Sequence, residues 1–394
     1  MKLQAHSSHD LSVALSMSNK CIVSKNTMAI LDYVLLTRND KGVFFFTSAT
    51  TDSQLTIPAP ITLVEGNFER KIALPAKTIS QFLSTLPDCT VTFNFVDDKS
   101  FSLEYCTVMG DKVKSGKASL TYFMGDDFPQ IPKPVVEEIH VSFPGDFFRD
   151  VIDKARNFTD NNELRPTMSA LCIDVVEDLS EAVFVATNGH VLFRQILSNN
   201  PAKGGIDFFR AGNSARILLH MQYFRAISVF HDVEKVDILT DGRIIRITAG
   251  DIEFMCKAIE GKYPNYNSVI PRDNPFYLCF DKKEMLSVIK RVSMFSSAST
   301  KLIELKKEGL FIKVSASDID FCRAADDEVV ITDSSCPDNF RIGFKASDLS
   351  NIISNIDDDS VRITLADPSR AGVVTANEPA PKQLTLIMPM LLSD

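Results

Sequence analysis

The sequence runs three times through one domain-sized pattern, which restricts the chain to folds assembled from three related units. An amphipathic helix leads into a β-hairpin whose second strand ends in a small-residue signature. The signature reads Ser48-Ala49-Thr50-Thr51-Asp52, then Val185-Ala186-Thr187-Asn188-Gly189, then Ser315-Ala316-Ser317-Asp318. Its alanines lie 137 and 130 residues apart, and the helix openings Leu11/Leu15, Phe148/Ile152 and Met285/Ile289 recur every 137 residues. A solenoid repeat spans about 20 to 50 residues, so a period this long marks whole domains in series.

Within each third the layout is the same. The first helix precedes a hairpin, Tyr33 to Thr37 with Val43 to Thr47 in the first copy and Leu302 to Lys306 with Leu310 to Val314 in the third. A second helix follows, over Ala76 to Leu86, Leu218 to Phe230 and Ala346 to Ile356, and then further strands. Asp241-Gly242 predicts a tight two-residue hairpin between Val236–Leu239 and Ile244–Thr248. Two helices and many antiparallel strands per third define an α+β class with helices on one face of the sheets. Proline-rich exits at 128–134 and 263–271 divide the chain into domains 1–133, 134–266 and 267–394.

Composition excludes several classes. With 45% hydrophobic and 24% charged residues, 394 residues can build proper cores, so disorder is not expected. The chain has no apolar stretch near the roughly 18 residues of a membrane span, and Gln4 to Asp10 is polar where a signal region would be apolar. The expected location is cytoplasmic. Eight cysteines (21, 89, 106, 172, 256, 279, 322, 336) are scattered singly, without the clustering of zinc sites or disulfide scaffolds, so no metal or cofactor is expected. His6 and His9 form an H-x-x-H near the terminus, best read as solvent-exposed. There is no phosphate loop, no H-E-x-x-H and no nucleophile–base arrangement, so no catalytic residue is named and an enzyme is disfavoured.

The net charge of −9 argues against a conventional DNA-binding domain, which needs a concentrated basic surface. The charge is uneven, however. Candidate helices over 9–23, 76–88, 144–160, 214–231, 281–296 and 345–356 together carry +3, leaving −12 on the remainder. In the second copy Phe147, Phe148, Val151, Ile152 and Ala155 form an apolar face and place Arg149 and Arg156 on a polar flank; Lys283 and Lys290 repeat that seven-residue arrangement in the third. Mildly basic helices on an acidic body can hold a polyanion loosely on one surface.

Three motifs then carry a resemblance. Ala186-Thr187-Asn188-Gly189-His190-Val191-Leu192, the run Gly261-Lys262-Tyr263-Pro264-Asn265-Tyr266-Asn267-Ser268-Val269-Ile270-Pro271, and the ending Leu386-Ile387-Met388-Pro389-Met390-Leu391-Leu392 resemble the bacterial sliding clamp family, DNA polymerase III subunit beta. Alone, Thr187 to His190 is a turn and Met388 to Met390 a terminal strand; in this order and spacing they are specific. The resemblance covers the whole chain. It implies three domains of the DNA-clamp fold in a head-to-tail homodimeric ring, with helices lining a hole for double-stranded DNA. It implies a processivity factor without catalysis of its own, which tethers the replicative polymerase, a clamp loader and other proteins carrying a Gln-Leu-x-Leu-Phe-like motif.

The resemblance also assigns residues. The partner-peptide groove falls on Met168, Thr187, Gly189, His190, Leu192, Pro264 and Val269, joined by Leu386, Met388, Pro389 and Met390 and, beside an insertion, Gly372. Methionines that repack around different anchors suit one pocket serving many clients. DNA contacts fall on Lys25, Asn162 and Arg165 in addition to the helix cations. Val191 and Leu391 stand where relatives often have arginine, so a less basic rim is expected; Pro166 and Thr167 replace tyrosines, which weakens stacking on single strands. Residues near Phe82 and Phe280 to Leu286 are implied at the dimer seam. The remaining alternative, a scaffold of three repeated domains, predicts a monomer that is not retained on circular DNA.

Overall fold

The computed structural model describes residues 1–23, 26, 28–109, 112–134, 139–160, 164–175, 181–198, 207–210 and 215–392. The first third runs β1 (Lys2–Ala5), α1 (Ser8–Asn19), β2 (Val34–Arg38), β3 (Phe44–Ala49), β4 (Ser53–Pro58), β5 (Thr62–Glu65), β6 (Ile72–Leu74), α2 (Ala76–Leu83), β7 (Thr90–Phe95), β8 (Ser100–Met109), β9 (Lys112–Thr121) and β10 (Phe123–Met124). The central third adds β11 (Ile139–Pro144), α3 (Gly145–Ala155), β12 (Ala170–Val175), β13 (Glu181–Thr187), β14 (Val191–Ser198), β15 (Asp207–Arg210), β16 (Ala215–His220), α4 (Phe224–Ile227), β17 (Lys235–Thr240), β18 (Ile244–Ala249) and β19 (Ile252–Lys257). The last third holds β20 (Phe276–Asp281), α5 (Lys282–Val292), β21 (Leu302–Glu308), β22 (Phe311–Asp318), β23 (Arg323–Ser334), β24 (Arg341–Lys345), α6 (Ala346–Ser354), β25 (Ser360–Leu365), β26 (Gly372–Ala376) and β27 (Gln383–Ile387).

The repeat seen in sequence is a repeat of elements. Helices α1, α3 and α5 begin exactly one period of 137 residues apart, and β3, β13 and β22 each end within the small-residue signature. Local chemistry explains why these helices start where they do. Ser7 caps α1 by accepting from the Asp10 amide at 3.0 Å, and Asp281 caps α5 by accepting from the Glu284 amide at 2.8 Å. Each then buries one stripe, Leu11, Ala14, Leu15 and Ser18 on α1 and Met285, Val288, Ile289 and Val292 on α5.

The chain packs as two compact units, and the central third is divided between them. One unit comprises Met1–Arg149, Asp207–Gly212 and Gln222–Ala258. It contains a five-stranded sheet, β5-β1-β7-β8-β9, and a ten-stranded sheet, β10-β6-β2-β3-β4-β19-β18-β17-β11-β15. The antiparallel pairing of β4 with β19, Leu55 opposite Phe254, makes that larger sheet continuous from the first third into the central one. The other unit comprises Asp150–Ile206, Asn213–Met221 and Ile259–Asp394 and contains one twelve-stranded sheet, β16-β12-β13-β14-β27-β26-β25-β20-β23-β22-β21-β24. Here β14 pairs with β27 from Val191 opposite Ile387 to Gln195 opposite Gln383.

Beneath the β14·β27 ladder lies a polar pin. Lys154, only 6% exposed, donates to Asp150 at 2.9 Å, Asp357 at 2.6 Å and Gln383 at 3.2 Å. Gln195 donates to Asp150 at 3.4 Å and Gln383 donates to the Asn355 carbonyl at 2.9 Å, so central and C-terminal segments share one hydrogen-bonded set.

Two sequence expectations need correction. The helix expected over Leu218 to Phe230 is shorter than its sequence span: Leu218 to His220 are the end of β16, which pairs along its length with β12, and the helical part is a 3₁₀ turn (Met221–Tyr223) followed by the short α4. The run Ile217-Leu218-Leu219 is continuously apolar, so its periodicity does not distinguish the two states and the vacant sheet edge decides. Arg216 is therefore a sheet residue, paired with Asp174 at 3.0 Å, and leaves the tally of helix cations. The Asp241-Gly242 hairpin is wider than two residues, because Thr240 pairs with Ile245. Asp241 accepts from the amides of Arg243 and Ile244 at 2.9 and 2.8 Å, an Asx turn that stabilises the longer loop.

The proline-rich exits are packed. Ile131 joins Ile244 and Met255 in one cluster and its amide donates to Gln54 at 3.1 Å; Tyr263 and Tyr266 are buried in another. Replacing Lys154 with alanine should lower the urea stability of the full-length protein by about 2 kcal/mol, since it leaves two carboxylates facing each other without their cation. A far-UV unfolding midpoint unchanged from the parent would contradict that role for the pin.

Candidate functional site

A compact apolar cluster forms where the three motifs meet, wholly inside the unit containing the twelve-stranded sheet. It comprises Ala170 and Cys172 of β12, Val183 and Val185 of β13, Leu192 of β14, Leu218 of β16, Tyr263, Tyr266, Val373 of β26 and Leu386 of β27, with Ile259, Ile270 and Leu384 packed against it. Leu192 and Leu386 face each other directly across the β14·β27 ladder. The Tyr263 hydroxyl donates to the Val185 carbonyl at 3.1 Å and that of Tyr266 to Asp174 at 3.0 Å, so the two rings lie under the cluster with their polar ends satisfied.

Above this floor the turn at Thr187–Val191 is tightly determined. Thr187 donates to the Val191 carbonyl at 2.7 Å and accepts from the Gly189 amide at 3.1 Å, while Asn188 accepts from the amides of His190 and Val191 at 2.9 and 3.0 Å. Gly189 sits at φ +90, a region costly for any residue with a Cβ, and the nearest atoms to such a Cβ are Met168 Cε and Sδ at 3.9 Å. Met168 is thus placed beside the turn, on the 3₁₀ segment Pro166–Ser169. The C-terminal tail passes the same turn: the Met388 amide donates to the His190 carbonyl at 2.9 Å, and the Met390 amide to the Gly343 carbonyl at 2.8 Å. Gly343 has no room for a Cβ, which would lie 2.8 Å from the Met390 carbonyl oxygen and the Leu392 side chain, so β24 is the bed on which the tail lies.

The structure therefore gathers Met168, Thr187, Gly189, His190, Leu192, Leu386 and Met388 around one surface, with Pro264 half-buried between the two tyrosines in sequence and Val269 and Met388 exposed at its edge. Pro389 and Met390 are half-buried in the tail segment. Gly372 is not brought into this set. It is buried in β26 opposite Ile387, and its Cα faces Leu365, Ile387 and Phe344, whereas its neighbour Val373 joins the cluster. Successive strand residues face opposite sides, so a one-residue offset at the insertion reverses the assignment. Among the floor residues not named from sequence, Tyr263, Tyr266 and Ile270 are signalled by the clustering of apolar residues in the second motif, whereas Val373 and Leu384 lie outside all three motifs.

Val269 and Met388 also line a cavity of about 670 Å³, together with the rest of Asn267 to Asp273 and with Ser369 to Ala371. Val191 is 4% exposed in the ladder and Leu391 is 85% exposed, so neither supplies rim charge.

Chemically the surface is suited to binding and not to turnover. Burial pushes the Cys172 thiol up to about 12, with the Asp174 carboxylate adding to the effect, so it stays protonated. Burial likewise raises the Tyr263 and Tyr266 hydroxyls, keeping them as donors. Among the described residues no group of three or more His, Cys, Asp or Glu is placed to hold a metal ion.

The cations expected to meet DNA are exposed but scattered. Arg149 on α3 bonds Asp146 and Asp232, each at 3.4 Å; Lys283 on α5 pairs with Asp359 at 3.3 Å; Lys290 on α5 makes no ion pair among the described residues. Arg156 and Arg165 are exposed beside the 3₁₀ segments that follow α3. Lys25 and Asn162 lie outside the described residues.

The architecture is α+β and built from three similar domains, with a buried apolar cluster beneath the Thr187–Val191 turn. Family models agree at both ends: "DNA polymerase III beta subunit, N-terminal domain" matches residues 2–132 and "DNA polymerase III beta subunit, C-terminal domain" matches residues 267–391. The chain is 24% identical to the beta sliding clamp of Bacillus subtilis over 381 residues, 93% of this chain and 94% of that one. Crystal structures of the DNA polymerase III beta subunit share the fold: that of Pseudomonas aeruginosa bound to griselimycin superposes with a TM-score of 0.83 at 20% identity, and that of Thermotoga maritima with 0.81 at 16%, each covering 100% of both chains. The chain belongs to the bacterial beta sliding clamp family, the non-catalytic processivity subunit of DNA polymerase III. The family's role is to hold the polymerase on its template.

Two outcomes follow from this geometry. Gly189→Ala should cost about 1–2 kcal/mol of stability through the positive φ, read in a thermal melt. Iodoacetamide should label the exposed Cys106 and Cys322 in the native protein and leave Cys172 unmodified, as read by peptide mass mapping; rapid native labelling of Cys172 would contradict the closed floor.

Proposed function

We propose that this clamp binds its clients at the surface formed by Met168, Thr187, Gly189, His190, Leu192, Pro264, Val269, Leu386, Met388, Pro389 and Met390. The observation that carries the reading is the Leu192–Leu386 floor beneath a turn that leaves Gly189 without a side chain. A short segment with a glutamine and bulky apolar residues, Gln-Leu-x-Leu-Phe in kind, would seat its apolar side chains there. The replicative polymerase, a clamp loader and repair proteins would compete for the one groove.

The ring around duplex DNA follows from the same repeat. Domains 1–133, 134–266 and 267–394 each supply a sheet ending in a meander edge (β9, β19, β27) and a hairpin edge (β4, β14, β23). Two of these edges meet two others within the chain, β4 with β19 and β14 with β27. The remaining pair is β9, which ends its sheet, and residues 323–330 of β23, which pair on one side only, with β22. A second copy would join these head to tail, a heterologous contact that makes a finite ring where the rotation between copies closes. The edges carry opposite charge, Lys114 and Lys117 on β9 against Asp326, Asp327 and Glu328 on β23, which favours this partner over self-pairing of like edges. Exposed cations such as Arg149, Arg156, Arg165, Lys283 and Lys290 would then suffice for loose phosphate contact, with Lys25 and the polar Asn162 proposed as further contacts, and the ring would supply retention. The proposed setting is the cytoplasm; among the described residues no helix is long and apolar enough to cross a membrane.

Anisotropy of a labelled Gln-Leu-Ser-Leu-Phe peptide should saturate with the parent protein and weaken at least tenfold with Met388→Glu, an exposed site that leaves the floor intact. Equal binding to both would remove the groove reading. Sedimentation equilibrium should show a dimer, weakened by Lys114→Glu with Lys117→Glu and restored by mixing with Asp326→Lys, Glu328→Lys protein; dimers indifferent to both changes would place the seam elsewhere.

A further inference from the structure

The cavity that continues the groove past Val269 and Met388 has charged walls. One wall is Asn267 to Asp273 and the other Ser369 to Ala371. Both are held in place. The Asn274 side-chain amide donates to the carbonyls of Thr364 and Ala371, each at 3.1 Å, and ties the first wall to the second. Asp367 accepts from the Ser369 amide at 2.8 Å while the Arg370 amide donates to the Asp367 carbonyl at 3.2 Å, which sets the turn of the second wall. Arg370 reaches across to Asp273 at 2.5 Å, so the carboxylate among the lining residues is already neutralised. Arg272, next to it on the first wall, is exposed and makes no ion pair among the described residues. With Arg370 facing Asp273 and Asp367, Arg272 is the cation of this lining that makes no ion pair among the described residues, directly beside an apolar anchor site on a protein whose overall charge is −9.

We propose that Arg272 reads an acidic residue flanking the apolar anchors of client segments, so that this clamp prefers acidic-flanked clients through a cation outside the anchor pocket. The proposal rests on the groove reading above and assigns its rim. Val191 is buried in the ladder and Leu391 is uncharged, so the rim charge is displaced along the surface to the 267–273 wall. An exposed arginine pairing with a mobile peptide carboxylate contributes modestly and is screened by salt, which sets both the size and the salt dependence of the effect.

The test is anisotropy with the full-length protein and three labelled peptides: Gln-Leu-Ser-Leu-Phe in a Gly-Ser context, the same with two glutamates before it, and the same with two glutamates after it. At about 50 mM NaCl one acidic peptide should bind about three- to fivefold tighter than the neutral one. Arg272→Ala should erase that advantage while changing the neutral peptide less than twofold, Arg272→Lys should retain part of it, and 500 mM NaCl should abolish it in the parent. Equal binding of all three peptides, or an advantage that survives Arg272→Ala, would overturn the proposal and leave the groove reading standing. Failure of all three to bind would overturn the groove reading and this proposal with it.

Discussion

The antiparallel pairing of β14 with β27 is the contact on which the rest of this structure depends. It carries the sheet from the central third into the last, it sets Leu192 opposite Leu386, and it delivers the C-terminal tail to the Thr187–Val191 turn. Strand ladders are exacting joints, because a slip of one residue reverses every side chain between core and solvent. The buried Lys154 with Asp150, Asp357 and Gln383 adds a polar lock at the end of the ladder, where Gln195 faces Gln383. Polar sets that tie both strands of a ladder to the same cation favour one register over its neighbours. The apolar cluster under the Thr187–Val191 turn is thus a product of that joint, with Leu192 supplied by the central third and Leu386 by the last.

The same logic separates affinity from retention. An acidic protein cannot rely on phosphate attraction, and the exposed cations are individually partnered or isolated: Arg149 bonds two aspartates and Lys283 one. Such a surface suits loose contact that lets the protein move along DNA. Holding power must come from closure, and closure needs no new kind of contact if the unpaired edges β9 and β23 repeat across two copies what β4·β19 and β14·β27 do within one. Clients gain by local concentration and need no chemistry from the clamp.

Much of this was legible in the sequence, for physical reasons. Repetition survives because each third must bury the same helix stripe on the same sheets, so Leu11/Leu15, Phe148/Ile152 and Met285/Ile289 keep their period. Motif residues such as Gly189 were legible because a positive φ restricts the residue type. Hidden features were those decided by tertiary pairing. Ile217 to Leu219 reads equally well as helix or strand until β12 offers an edge. Gly372 and Val373 differ by one position but face opposite ways, which an insertion conceals. The proline-rich exits read as domain boundaries, yet Ile131 and Tyr263 within them are buried. The division into two packed units was invisible because ladders that cross domain seams leave no mark in composition.

A clamp that stays on DNA by encircling it depends on an uninterrupted circle of DNA. The most direct measurement is retention on a closed circular plasmid, with the protein loaded by a clamp loader and ATP and followed by gel filtration before and after a single restriction cut. Encirclement predicts co-elution with the circle at a salt concentration that abolishes binding to linear DNA, and release within minutes of the cut. Retention that is unchanged by cutting, or absent on the circle after loading, would contradict it.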